Sequence, residues 1–246
     1  MNKVIVVAHQ KGGVGKSTIA SNIAVELSKF YNVRVVDLDL QKSLTYFNNL
    51  RKSANLTQCN IVNISSPNDL KELINNNTGL LIIDAGGYDS DINRVAISGA
   101  DILVTPVSDS GIELVGLLAF RQILRDIRKV RPDLKSHVLL NKIHQWANAS
   151  LNEIFDFIKN NNEFTKFNAI LRDRADYKKS FDAGKSVIEY NNRAVDEMNG
   201  LISEIKTILA EYTLCILPML NPDGAFLYTR ANSVSVDLNR DSQELT

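Results

Sequence analysis

The sequence predicts an α/β fold: a doubly wound, mostly parallel sheet flanked by helices, followed by an irregular C-terminal tail. Three observations predict it. Runs of aliphatic and β-branched residues, too continuous for a strand with one wet face, recur along the chain. Segments with apolar residues at helical spacing lie between them. The first apolar run leads directly into a glycine-rich turn, "KGGVGKST" (11–18), that opens a helix.

In chain order, "KVIVVAHQ" (3–10) reads as a strand buried on both faces, and "STIASNIAVELSKFY" (17–31) as the helix after the turn. "VRVVDLD" (33–39) is a second strand that ends in acids. "NIVNIS" (60–65) is short enough for a minor strand. "PNDLKELINNN" (67–77) is a helix with Pro67 near its start, where the missing N–H costs nothing. "GLLIIDAGG" (79–87), "ADILVTPVS" (100–108) and "SHVLLNKI" (136–143) continue the strands, with a helix over 112–130. A helix over 151–161 precedes an edge strand in "FNAILRD" (167–173), and a helix-rich end covers 175–209. Alternation of this kind gives right-handed βαβ units. The domain boundary falls at 210. The segment 211–246 loses helical periodicity and gains Pro, Gly and Asn.

The 246 residues carry 28 basic and 28 acidic side chains. Zero net charge gives no global attraction to nucleic acid or anionic membrane, so polyanion binding requires a local patch. Cys59 and Cys215 form no metal-ligand spacing and read as two buried thiols in a reducing compartment. The apolar start is too short for a signal segment, and no uninterrupted apolar run spans a bilayer.

The chemistry concentrates in three places. In the turn, Gly12, Gly13 and Gly15 let backbone N–H groups curl around phosphate oxygens, with Val14 between them and Thr18 on the helix behind. Lys16 reaches the β- and γ-phosphates, and Ser17 supplies a hydroxyl for Mg²⁺. Asp84 ends a buried strand behind that loop, placed to hold magnesium through water. Asp37 and Asp39 alternate in "VVDLD", which points both the same way on a strand, one for the metal and one for the attacking water. The loop departs from G-x-x-x-x-G-K-[ST]: Gln10 stands where glycine is required, and a second lysine, Lys11, enters.

"KGGVGKST", "VVDLDLQKSLTYF" and "LLIIDAGG" together resemble the deviant Walker A, A′ and B motifs of the ParA/MinD family of P-loop NTPases, over residues 1–209. The short ParA-type partition ATPases resemble the chain best. The resemblance implies a Mg²⁺-dependent ATPase that dimerises on ATP. It gives Lys11 a role reaching across to the partner's nucleotide, so that the contact exists only in the dimer. It implies that Asp39 positions water, that Asp37 supports magnesium and that Asn141 contacts adenine, with "TPVS" (105–108) lining the base pocket. It implies a ParB-like partner protein, non-specific DNA binding by the dimer, and a cytoplasmic, nucleoid-associated location. Two departures stand out: Leu40 replaces the family's proline after D-x-D, and "DAGG" replaces the commoner endings of the third motif.

Two basic clusters suit phosphate contacts: Arg121, Arg125 and Arg128 at i, i+4, i+7, and Arg172, Arg174, Lys178, Lys179 and Lys185. The second resembles a family segment near the DNA-binding surface. The alternative is the positioning of another cargo, or a MinD-like membrane role. The latter requires a basic amphipathic terminal helix, and 198–212 instead carries Glu204 and Glu211 beside Lys206. The tail, "LNPDGAFLYTRANSVSVDLNR" (220–240), resembles a fragment of the zinc carboxypeptidases, with Arg230, Asn239 and Arg240 at carboxylate-binding positions. It lacks that family's zinc ligands, so no peptidase activity is expected of it.

Overall fold

The computed structural model describes residues 2–110, 113–144, 148–191 and 193–211. Cys215 and the carboxypeptidase-like stretch lie outside them. Backbone contacts group Met1–Ile208 as one compact unit and Leu209–Thr246 as another.

The first unit is a parallel sheet. Its strands are β1 (Lys3–Val7), β2 (Val33–Asp37), β3 (Asn60–Ile61), β4 (Leu80–Asp84), β5 (Ile102–Val107), β6 (Ser136–Ile143) and β7 (Phe164–Arg172), in the order β3-β2-β4-β1-β5-β6-β7. Every pairing among them is parallel. The described helices are α1 (Lys16–Leu27), α2 (Ser43–Ser53), α3 (Pro67–Asn75), α4 (Asp91–Ser98), α5 (Glu113–Arg128), α6 (Asn148–Lys159), α7 (Ala175–Asp182), α8 (Val187–Tyr190) and α9 (Val195–Glu211).

The continuous apolar runs are explained by position. In the central strands Ile5–Val7, Leu81–Ile83 and Ile102–Val104 have no exposed side-chain surface, because helices cover both faces. The expected edge strand is longer than its apolar stretch, running 164–172. Part of its backbone is closed by Glu204 of α9, whose carboxylate accepts from the N–H groups of Asn168 and Ala169 at 2.8 and 2.6 Å. The segment 60–65 pairs over two residues only. Helix α2 buries Leu44, Phe47 and Arg51 at i, i+3, i+7, and was not singled out from the sequence as an element. Local rules do set α3: Ser66 caps it by accepting from Asp69 N, and Pro67 takes the first helical position.

Because every strand points the same way, the C-terminal ends of β1, β2, β4, β5, β6 and β7 open onto one rim. The glycine turn, Asp37, Asp84, Ser108, Asn141 and Arg172 therefore meet there despite wide separation in sequence.

Candidate functional site

The turn between β1 and α1 adopts the backbone that its glycines permit. Gly13 and Gly15 have φ of 77° and 94°, in the left-handed region. Gly15 is also crowded: a Cβ there would lie 2.5 Å from Asn141 Nδ2. Two side chains from the end of β6 hold the loop. Asn141 Nδ2 donates to Val14 O and Lys142 Nζ to Gly13 O, both at 2.7 Å. In a planar trans peptide the N–H opposes the carbonyl, so the Val14 and Gly15 N–H groups face away from those anchors. No side chain caps α1, which leaves its first-turn N–H groups for an anion. Lys142 was not singled out from the sequence. Its signal is its position beside Asn141 at an irregular point of the β6–β7 register, where a strand re-aims its side chains.

Behind the loop, Lys16 is buried and donates to Lys11 O at 3.2 Å. Burial pulls its ammonium below the usual range, and Asp84 and Asp39 offset part of that. Asp84 is fully buried, and neither carboxylate oxygen has a hydrogen-bond partner among the described residues. Burial raises its pKa to about 7. The nearby Ser17 hydroxyl and Lys16 pull it down, while Asp37 and Asp39 push it further up. A buried carboxylate with no hydrogen-bond partner among the described residues, next to a serine hydroxyl, suits a bound cation. Ser17 and Asp84 thus fit the magnesium assignment: oxygen donors, hard ligands, and a charge in need of compensation.

Asp37 and Asp39 separate. Asp37 ends β2 in register with Asp84. Its Oδ2 accepts from Thr45 N and Thr45 Oγ1, both at 2.8 Å, and its Oδ1 from Asp39 N at 3.2 Å. Asp37 therefore ties β2 to the first turn of α2. Asp39 lies past the strand, so the two-residue alternation expected of the pair does not extend to it. Its carboxylate accepts from Gln41 N at 3.0 Å in a local turn. Leu40 follows, 78% exposed.

Lys11 is not extended into solvent. Its Nζ lies 2.7 Å from Glu113 Oε1, and Glu113 is buried at the start of α5. "TPVS" splits: Thr105 is buried, bonded to Ser136 in the sheet, and Ser108 Oγ donates to Glu113 at 2.6 Å. Among the described residues none of the four lines the base-sized cleft. That cleft, about 540 Å³, adjoins the turn and is lined by Gly15, Thr18 and Asn141 together with Arg172, Arg174 and Lys178. Three of the side chains expected to meet DNA therefore line this cleft. Arg174 also pairs with Glu197 at 2.8 Å. On α5, Arg121 and Arg125 both pair with Glu163, at 3.2 and 2.7 Å, and Arg128 is bonded to Asn162 and Pro132. Lys179 is exposed and Lys185 half-buried.

The chain is similar to known proteins over most of the first unit. Residues 5–212 match the CobQ/CobB/MinD/ParA nucleotide binding domain. The chain is 24% identical over 207 residues to the maintenance of carboxysome distribution protein A of Halothiobacillus neapolitanus, covering 82% of this chain and 95% of that one. It is 30% identical over 118 residues to protein ParA of Rhizobium radiobacter, covering 45% and 50%. Among solved structures, a plasmid partition protein of Borrelia burgdorferi bound to AMPPNP superposes with a TM-score of 0.67 at 19% identity, over 84% of this chain and 99% of that one. A MinC:MinD complex from Aquifex aeolicus gives 0.64 at 14%, over 83% and 96%. With a family match across most of its length and the family's fold and loop in place, the chain belongs to the CobQ/CobB/MinD/ParA nucleotide-binding domain family.

Proposed function

We propose that the protein is a ParA-like switch that binds ATP with Mg²⁺, dimerises in the ATP state, binds DNA non-specifically as the dimer and is reset by slow hydrolysis. The observation that carries the nucleotide assignment is Asp84, a buried carboxylate with no hydrogen-bond partner among the described residues, set behind a loop whose peptide N–H groups are aimed by Asn141 and Lys142. The loop amides and Lys16 hold the phosphates, and the cleft beside Thr18 and Asn141 takes the base. Ser17 and Asp84 hold the magnesium, which when bound neutralises charge on the phosphate oxygens. Asp39, half-exposed on its turn, orients the attacking water, and Asp37 supports the site by fixing α2 to β2. Lys11 crosses to the nucleotide of a second copy.

The proposed DNA surface rests on Lys179 and Lys185 more than on α5, whose arginines are engaged by Glu163 and Asn162. A partner of ParB type would stimulate turnover. The long match to a carboxysome-distribution protein favours a second reading, in which the same switch positions a cargo other than a plasmid. Membrane attachment through α9 is disfavoured: Met198, Leu201 and Ile205 on its apolar face are already buried, and Glu204 closes β7.

Co-sedimentation tests the reading. With ATP and Mg²⁺ the protein should be retained on plasmid DNA and lost as salt rises. Retention on lipid vesicles and not on DNA would sink it. Asp39→Ala should accumulate an ATP-bound dimer, and normal turnover in that variant moves the water-positioning role elsewhere.

A further inference from the structure

The turn's extra lysine is held by a group that the nucleotide site does not use. Lys11 is half-exposed, yet its ammonium points inward to Glu113 Oε1 at 2.7 Å. Glu113 is 1% exposed and has two donors among the described residues, Lys11 and Ser108 Oγ. Its second oxygen, Oε2, has no hydrogen-bond partner among the described residues. His9 Nε2 lies 3.9 Å from that oxygen. Burial drives the His9 pKa down to about 4, partly offset by Glu113 and reinforced by Lys16 and Lys11. His9 Nδ1 accepts from Lys11 N at 2.9 Å, so the neutral ring carries its proton on Nε2. His9 therefore supplies Glu113 with no charge. The approach is close because Gly116, one turn along α5, has no side chain: a Cβ there would lie 2.8 Å from His9 Cε1.

We propose that Glu113 is a latch on Lys11, a positioning residue that holds the lysine within its own subunit and sets the threshold for nucleotide-dependent dimerisation. The inference rests on the reading that Lys11 crosses to a partner's nucleotide. An exposed ion pair breaks at little cost. This pair is different on one side: when Lys11 leaves, a buried carboxylate keeps only a serine hydroxyl. Losing one partner of a buried charge is strongly unfavourable. Only a densely charged acceptor, such as the triphosphate presented across the interface, offsets that cost. A monophosphate or a passing acidic group does not.

The test uses the full chain, AMPPNP and Mg²⁺, and sedimentation equilibrium. Glu113→Gln keeps an oxygen for Ser108 and removes the charge. A charge-assisted hydrogen bond is worth about tenfold, and each dimer opens two latches, so the dimer Kd should fall by about a hundredfold. A merely structural role predicts no tightening. Lys11→Ala, alone or with Glu113→Gln, should give no dimer. An unchanged Kd in Glu113→Gln overturns the latch, and a raised Kd overturns it by making Glu113 an aiming residue. If the unmodified protein and Glu113→Gln both stay monomeric, the switch reading itself fails and the latch falls with it. If Lys11→Ala abolishes wild-type dimers while Glu113→Gln changes nothing, the latch alone fails. Should Glu113→Gln not fold, Ser108→Ala reads the opposite sign. There the carboxylate leans on Lys11 alone, the Kd should rise several-fold, and no change overturns the proposal.

Discussion

Asp84 shows how one carboxylate can cost the fold stability and still serve the proposed chemistry. Burial raises its pKa from the ordinary 3.8 to about 7. A carboxyl whose folded pKa is raised contributes most below its unfolded pKa, and its contribution is lost as pH climbs toward the folded value. In EDTA the stability loss from this group therefore builds from about pH 4 to about pH 7. At ~1.4 kcal/mol per pH unit, it reaches about 4 kcal/mol. Asp84→Asn should be more stable than the parent at pH 8 and nearly equal to it at pH 4 by urea denaturation, while losing Mg²⁺-dependent turnover by at least about a hundredfold. An Asn-minus-Asp stability difference that is flat across that range would show the carboxyl unshifted. At the same scale, Gly15→Ala should abolish nucleotide binding by isothermal titration. It strains a φ of 94° and drives a Cβ into Asn141.

At the level of elements, the late segment 184–190 is bolted to α1 and α2 by buried polar contacts. Arg51 of α2 is 3% exposed and donates to Thr57 O, Gly184 O and both carboxylate oxygens of Glu189. Glu189 closes a capping box with Ser186, whose hydroxyl also donates to Glu26 of α1. Asn22 Oδ1 accepts from Val187 N at 2.8 Å. Arg51→Ala removes the hub, takes the side-chain donor from the Thr57 and Gly184 carbonyls and leaves Glu189 with the Ser186 N–H but no countercharge, so it should cost about 3 kcal/mol by urea denaturation. A loss under about 1 kcal/mol would mean that Glu189 finds water. Arginines at other surfaces follow the same logic. Glu163 holds Arg121 and Arg125, which turns a stripe readable as a phosphate-binding face into a strut between α5 and the start of β7.

For the whole molecule, the expected behaviour is a monomer–dimer switch. Lys11→Ala should bind ATP nearly as the parent does and fail to dimerise in light scattering; dimers in that variant refute the crossing role. Lys179→Glu with Lys185→Glu removes two lysines from each subunit of the DNA-binding dimer and should lower the salt slope by about four in the log–log plot, given about one unit per lost phosphate contact. An unchanged slope places the DNA surface elsewhere.

The sheet, its parallel sense and the nucleotide loop were legible from the sequence alone. Buried strands must be apolar throughout, and a glycine turn between a strand and a helix has few other uses. "KGGVGKST" and "LLIIDAGG" put forward Lys16, Ser17 and Asp84 as candidates, and the fold brings the three side by side. What the tertiary structure decided is which charges face each other. The alternation of Asp37 and Asp39 failed because β2 stops at Asp37, and where a strand stops depends on its neighbours. Helix α2 is tied to β2 by the nearby Asp37–Thr45 bonds, and only Arg51 finds a partner far away in sequence, Glu189. Glu113 and Lys11 are 102 residues apart. No spacing rule joins them, because the rim of a parallel sheet assembles residues by strand order, and strand order is a property of the fold.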